Sequence, residues 1–217
     1  MNSRGSEAIR AMFHTEVPDD LLTDTGRCLL AAYREAFNQV REEFPGEEAR
    51  DLFPLLRRAM FERNWRTAMG RRKGVRADAV QNEAGNCFHT RVSIGRVVLT
   101  ASAVETPEAL VRDAIFRKTL AESNQPHLFR GRSVPPKDAM LYGIVLHGPA
   151  GAGLLPAPMF LRVSFPSMDL DEYGATVDLI QHLPELAAEL HATPSEPTVG
   201  RVRPTLREIA LTSGEHD

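Results

Sequence analysis

Eight basic side chains lie within twenty residues of a chain that is acidic overall. They are Arg57, Arg58, Arg63, Arg66, Arg71, Arg72, Lys73 and Arg76, and Glu62 is the single acid among them. The whole chain of 217 residues has 26 Lys and Arg against 29 Asp and Glu, a formal net charge of -3. Clustered cationic groups attract phosphate-rich polymers and acidic protein surfaces. Residues 57–76, here called the basic segment, are therefore the first candidate for a binding surface.

The flanks of the basic segment carry the opposite charge. Residues 1–52 have a net charge of about -5 and residues 163–217 one of about -7. Blocks of unlike charge are compatible with an external partner, with self-association into a homo-oligomer, and with screening of the basic segment by the protein's own acids. The sequence leaves these alternatives open.

A second, weaker candidate for a functional residue is His147. Histidine can act as a general acid or base because imidazole titrates near neutral pH. His147 follows the apolar run 141–146 and precedes a loop rich in glycine and proline that ends at Gly153. Segment 141–153 resembles the strand and His-Gly loop of α/β-hydrolases, which implies an oxyanion hole at the loop. The Gly-x-Ser-x-Gly elbow that such an enzyme requires does not follow, and Gly153 does not begin the Gly-Lys-Ser/Thr of a P-loop.

Metal-binding signatures are missing from the sequence. The chain has seven histidines and two cysteines, but no HExxH, CxxC or His-x-His. Cys87 and His89 fall on one face of a predicted strand, yet two ligands do not make a zinc site. We therefore predict no metal and no cofactor, and we expect Cys28 and Cys87 to be reduced thiols.

Two amphipathic helices are predicted before the basic run. The first begins at Thr23 or Asp24 and ends before Pro45-Gly46. Its apolar side comprises Leu30, Tyr33, Phe37, Val40 and Phe44. The second helix is expected to bury Leu52, Leu55, Leu56, Ala59, Met60 and Trp65. The pair should form an antiparallel hairpin, with Arg71, Arg72 and Lys73 in an exposed loop at its end.

The residue pattern in the second half of the chain predicts several strands. Residues 77–87 are expected to form a linker, and alternation over 88–103 around Gly95-Arg96 predicts a β-hairpin. Thr106-Pro107-Glu108 is typical of a helix start, and that helix should end near Asn124. A second strand pair is predicted over 140–146 and 159–165, followed by a helix over 177–191.

These elements predict an α+β protein with an N-terminal helical hairpin and two antiparallel strand pairs that share one sheet. The expected organisation is a helical hairpin over 1–76, an α+β region over 77–191 and an extended tail over 192–217. With 42% hydrophobic residues the chain can bury a core, and no apolar window is long enough to span a membrane. We therefore expect a cytoplasmic protein without a membrane partner.

The leading functional hypothesis is a non-catalytic regulatory or adaptor protein of a bacterial type, which binds a protein partner through the basic segment. Nucleic-acid binding through the same residues is the first alternative. A hydrolase or transferase that uses His147 and the glycine-rich loop is the second.

Overall fold

A computed structural model describes residues 3–44, 46–124, 139–149 and 154–191. The helices are α1 (Ser3–Glu16), α2 (Asp19–Glu43), α3 (Glu48–Gly70), α4 (Ile115–Ala121), α5 (Leu179–His182) and α6 (Pro184–His191). The strands are β1 (Val75–Gln81), β2 (Phe88–Ile94), β3 (Val97–Ala103), β4 (Leu141–Gly148), β5 (Phe160–Pro166) and β6 (Tyr173–Asp178). The α+β class predicted from the sequence is confirmed.

The described strands form one mixed sheet in the order β1-β2-β3-β4-β5-β6. Every neighbouring pair is antiparallel except β3 and β4, which run parallel with Val97 opposite Leu141. A parallel pair needs a crossover connection, and residues 104–140 supply it. Both predicted strand pairs therefore exist, but they are joined by a parallel contact and extended by a strand at each end.

The two additional strands correct the sequence-based boundaries. Residues 77–87 were expected to be a linker, but β1 covers Val75–Gln81 and pairs with β2 along its whole length. The expected boundary after residue 76 thus falls inside a strand. Similarly, the predicted helix over 177–191 is preceded by β6 and divided into two short helices by Leu183 and Pro184. The predicted tail, 192–217, lies outside the described residues.

Helices α2 and α3 pack on each other in opposite directions. Tyr33 meets Phe53 edge to face at 6.2 Å between ring centres, and further from the connection the Trp65 indole N–H donates to Thr25 at 3.0 Å. The order of these contacts shows that the helices are antiparallel. The helix α1, which precedes them, has no counterpart in the sequence-based prediction.

The buried face of α3 differs from the predicted one. Its buried residues recur at every fourth position: Ala49, Phe53, Arg57, Phe61, Trp65 and Met69. Leu55 is 65% exposed, whereas Leu52, Leu56 and Met60 lie at the margin of the core. The prediction placed Trp65 correctly but otherwise chose the wrong rows, because an arginine occupies one inward position of this face and apolar residues occupy the neighbouring row.

The sheet separates two hydrophobic cores. Helices α1, α2 and α3 cover one face, where Phe13, Tyr33, Trp65, Leu99 and Val163 belong to one buried cluster. A smaller cluster on the other face contains the following residues: Val104, Val111, Ala121, Tyr142, Ile144, Leu146, Phe160 and Leu170. Packing on both faces explains why all residues of β4 are buried.

The described part of the connection that follows β3, residues 104–124, is less helical than predicted. The helix expected from Thr106 to Asn124 begins at Ile115, and the proline start forms only a turn in which Ala109 N donates to Thr106 O at 3.1 Å. Val111 is buried in the smaller core without being helical, while Leu110 and Ile115 are exposed. The apolar periodicity thus reflects separate contacts and not one helix face.

Helix α1 lies along the edge strand β6. The Ser6 hydroxyl donates to Gly174 O at 2.6 Å, and the Arg10 guanidinium donates to Thr176 O at 3.1 Å. At the end of α1, Glu16 accepts from the Arg96 side chain at 2.7 Å, next to the β2–β3 turn where Gly95 has a φ of +52°. The predicted glycine turn is thus confirmed, because this region of φ favours glycine.

A search of the described helices finds none long and apolar enough to cross a lipid bilayer.

Candidate functional site

Arg57, predicted to belong to a water-facing cationic surface, is instead part of the core. Arg57 is only 3% exposed, and its guanidinium lies 4.6 Å from the ring centre of Tyr33 and 5.2 Å from that of Phe53. Its Nη1 donates to Pro149 O at 3.4 Å. Burial lowers the pKa of Arg57 below its usual value. This arginine therefore ties α3 to the end of β4 and does not face an external partner.

Acidic residues of the N-terminal flank, residues 1–52, neutralise the charge of Arg72. The guanidinium forms an ion pair with Asp24 and a second one with Asp20 at 2.9 Å, both on α2. The hydrogen bond to Asp24 raises the pKa of Arg72. Arg76, on β1, pairs with Asp78 of the same strand at 2.6 Å. Screening by the protein's own acids, one of the alternatives that the sequence left open, thus applies to two of the eight basic residues.

Five of the eight basic residues are exposed, namely Arg58, Arg63, Arg71, Lys73 and Arg76. Arg63 donates to Asn64 at 3.3 Å, and neither Arg63 nor Arg71 nor Lys73 forms an ion pair with a described carboxylate. These three lie on or just after the last two turns of α3. The predicted exposed cationic surface therefore lacks three of its eight residues, Arg57, Arg66 and Arg72.

Arg58 and Arg66 point toward the start of β2. Arg58 donates to Phe88 O at 3.1 Å, and Arg66 donates to the Thr90 hydroxyl at 3.3 Å. Between them Glu62 accepts from Thr90 N. Burial raises the pKa of Glu62, and the nearby arginines counteract part of that rise. These contacts fix the side of α3 against β2 and bring Arg58 near the next residue of the strand, His89.

His89 is the most unusual polar residue of this region. It is 5% exposed, its ring stacks on Phe116 of α4 at 3.8 Å, and its Nδ1 has no hydrogen-bond partner among the described residues. Burial lowers the pKa of His89, and the positive charges of Arg117, Arg91 and Arg58 lower it further. A buried polar atom without a partner is costly, and such atoms in folded proteins call for an explanation such as a missing ligand or water.

The three arginines near His89 come from three different elements. Arg58 lies on α3, Arg91 on β2 and Arg117 on α4. Arg117 donates to Ser102 at 3.2 Å and lies 5.1 Å from the ring centre of Phe116, yet its buried Nε has no hydrogen-bond partner among the described residues. Burial lowers the pKa of Arg117. We call His89, Arg58, Arg91 and Arg117 the His89 cluster.

Acidic groups near the His89 cluster offset only part of its charge. Glu62 lies near Arg58 but also near Arg66 and accepts from Thr90 N, and Asp78 lies opposite Arg91 in the β1–β2 pair but already binds Arg76. Glu83 acts to raise the pKa of His89, and its effect is the smallest of those that shift it. Like charges brought together in a partly buried position repel one another, and an anion would relieve that repulsion. The cluster is therefore suited to a phosphate or carboxylate group.

His147 lies in an environment unsuited to acid–base chemistry. It is 5% exposed, its Nδ1 lies 3.0 Å from the Tyr33 hydroxyl, and the edge of its ring faces Phe61. Burial, helped by the charge of Arg57, lowers the pKa of His147 to about 3. No described carboxylate is in hydrogen-bond contact with it. The imidazole therefore stays neutral at physiological pH, and the loop residues 150–153 that would form an oxyanion hole lie outside the described residues.

The cysteines are free thiols, as expected. Burial raises the pKa of Cys28 to about 11, so this thiol is protonated near neutral pH and a poor nucleophile.

Sequence reasoning found part of the His89 cluster. It named Arg58, but as one of many charges, and it considered His89 only as a partner of Cys87 for a metal. Arg91 could have been found, because it lies two residues after His89 on the same face of a strand. Arg117 could not, since its position depends on the crossover.

No protein-family model, curated protein or solved structure matches this chain.

Proposed function

We propose that this protein is a non-catalytic nucleic-acid-binding protein whose His89 cluster holds backbone phosphates. The observation that supports the proposal most strongly is a buried imidazole, stacked on Phe116, whose Nδ1 has no partner among the described residues. Arg58 is bonded to the carbonyl that precedes it, Arg91 follows on the same face of β2, and Arg117 lies beside Phe116. Guanidinium groups bind phosphate through paired N–H donors, which suits them to this ligand better than lysine.

An exposed aromatic ring next to Arg58 favours nucleic acid over an acidic protein. Phe88, which is 58% exposed, immediately precedes His89 and its carbonyl accepts from Arg58, although its side chain lies on the opposite face of β2 from His89 and Arg91. Exposed aromatic rings near cationic grooves are typical of single-strand binding, because every base has a face that can stack. The basic residues that follow α3, Arg71 and Lys73, extend the positive surface beyond the cluster.

The proposal keeps the binding role predicted from the sequence but changes the residues that carry it. Arg57 and Arg72 are assigned to structural contacts. The adaptor hypothesis, with an acidic protein as partner, shares the cationic surface but requires neither the exposed ring nor the imidazole.

Fluorescence polarisation with a labelled single-stranded oligonucleotide tests the proposal. We expect Arg91→Gln and Arg58→Gln each to weaken binding about tenfold or more, because a hydrogen bond to a charged group contributes roughly 1.5–3 kcal/mol. Each substitution should also reduce the slope of log K against log salt by about 0.7. Arg63→Gln, which removes an exposed arginine of the same helix outside the cluster, is the matched control.

Several outcomes would contradict the proposal. Equal weakening by Arg63→Gln and Arg91→Gln would show that only general charge matters. Binding that is insensitive to salt would exclude phosphate contacts as the main source of affinity. Competition by polyglutamate as effective as that by an unlabelled oligonucleotide would favour the adaptor hypothesis. Loss of binding only in Arg71→Glu and Lys73→Glu would show that the binding site lies at the end of α3 and not at the His89 cluster.

A further inference from the structure

Three side chains that are far apart in the sequence meet beside α1. His14 lies in the last turn of α1, Asp19 is the first residue of α2, and His182 is the last residue of α5. Each offers one ligand atom, and these three atoms all lie within 4.8 Å of one another. The His14 and His182 rings are 4.5 Å apart, and His182 Nε2 lies 2.9 Å from Asp19 Oδ1.

We propose that His14, Asp19 and His182 bind one zinc ion, with water completing a tetrahedral site. The donor set of two imidazole nitrogens and one carboxylate oxygen is one that zinc accepts. Ligands about 2.0–2.2 Å from a tetrahedral zinc ion lie roughly 3.3–3.6 Å from each other. The His182 Nε2–Asp19 Oδ1 separation of 2.9 Å is slightly below this range and no separation exceeds 4.8 Å, so rotation of exposed side chains is enough to form the site.

The backbone beneath the two histidine ligands is held in place by buried neighbours. Phe13 and Val17 are fully buried on either side of His14, and Val17 N donates to Phe13 O at 2.8 Å. On α5, Leu179 and Leu183 are buried around His182. The positions from which the ligands project are therefore fixed, and only the side chains need to adjust. Pre-organisation of this kind lowers the cost of binding.

The surroundings of the three residues allow a cation to approach from solvent. The side chains of Asp19 and His182 are 64% and 33% exposed, and His14 is exposed. Arg10 is a positive charge that acts on His14, and its guanidinium is bound to Thr176 O on β6. Asp20 follows Asp19 and is directed to Arg72. The charge around the trio thus does not exclude a divalent ion.

Zinc at this position would be a structural link. It would join α1 and the start of α2 to α5, which follows the last strand, and so connect the N-terminal helices to the C-terminal end of the described fold. A metal that binds the folded state alone stabilises it by mass action. The site shares no residue with the His89 cluster, so the two proposals can fail independently.

Isothermal titration of the full-length protein with zinc chloride, after removal of metal by a chelator, tests this site. We expect one equivalent to bind to the wild type, and His14→Ala, His182→Ala and Asp19→Asn each to weaken binding at least tenfold, because even second-shell substitutions cost 10–100-fold. His191→Ala and Cys87→Ser, which change other possible ligands, are the controls and should bind as the wild type does.

A second readout separates a built site from incidental contacts. Zinc should raise the melting temperature of the wild type and of the controls in proportion to the logarithm of its concentration, but not that of His182→Ala. Circular dichroism verifies that each variant is folded. Absence of stoichiometric binding, or undiminished binding by both His14→Ala and His182→Ala, would overturn the proposal whatever the outcome for nucleic acid.

Discussion

Acidification should destabilise this protein through His147, and the size of the effect follows from its burial. The pKa of His147 is lowered to about 3 in the folded protein, mainly by burial and secondarily by Arg57. In the unfolded chain a histidine has a pKa of about 6.5. Between these values the unfolded chain binds a proton that the folded protein does not, so the free energy of unfolding decreases as pH falls below about 6.5.

The expected loss is about 1.4 kcal/mol for each pH unit in this interval. Lowering the pH from about 7.5 to about 5 should therefore cost about 2 kcal/mol through this residue alone. Equilibrium urea unfolding, followed by far-ultraviolet circular dichroism at several pH values, measures the effect.

Substitution isolates the contribution of His147 from those of other groups. His147→Gln should flatten the pH dependence by about 2 kcal/mol over the same range, although it can lower stability at neutral pH. His14 and His89 also have lowered pKa values and titrate in the same direction, but they are present in both proteins. The difference between the two profiles therefore reports His147.

Tyr33→Phe provides the matched control for this experiment. It removes the hydroxyl that contacts Nδ1 of His147 but keeps the imidazole buried, so a steep pH dependence should persist. Parallel profiles for the wild type and His147→Gln would refute the reasoning, because they would mean that the imidazole is hydrated or protonated in the folded state.

Two other substitutions test the packing of the sheet by equilibrium unfolding. Asn124→Ala should lower the free energy of unfolding by about 2–4 kcal/mol. The buried Asn124 amide accepts from Tyr142 N at 2.7 Å and donates to the carbonyls of Tyr142 and Pro166, and all three groups would lose a partner. Ser123→Ala, at the neighbouring position, should lower it less, and equal losses would contradict the role assigned to Asn124. Gly143→Ala should cost about 1–3 kcal/mol, because its Cβ would lie 2.9 Å from Phe165 Cε1; unchanged stability would show that the central strands can separate.

The sequence identified those elements whose signals are local. Leu30, Tyr33 and Val40 recur on one side of a helix, and all three are buried in α2. Alternation on either side of Gly95 indicated the β2–β3 hairpin, because the turn residue and the strand period point to the same structure. In both cases the information lies within about twenty residues, where periodicity is most reliable.

Other elements depend on distant contacts that the sequence does not display. The alternation in strand β1 is weak, because its apolar side chains are small and only Val75 and Ala77 pack against the main core, so its pairing with β2 defines it. The inward position of Arg57 likewise requires the rings of Tyr33 and Phe53 and the carbonyl of Pro149. A residue type that normally faces water gives no sign of such a burial.

The candidate sites show the same limit more strongly. The charges of the basic segment could be counted, but whether they face water depended on Asp20 and Asp24, about fifty residues earlier. The His89 cluster requires the crossover that carries Arg117, and the proposed zinc ligands are brought together only when α1 and α5 pack beside β6. The charged residues can be counted in a sequence, whereas the fold decides which of them lie close together.

The contact of α1 with β6 has a consequence for assembly. A fibre built by strand addition needs two open edges on every molecule. Here the carbonyls of Gly174 and Thr176 are occupied by side chains of α1, and Ile9 and Phe13 hold that helix in the core. Of the described strands, β1 alone has one neighbouring strand and no helix hydrogen-bonded along its other side. Each molecule thus has one open sheet edge, and strand addition would stop once two molecules had paired through it.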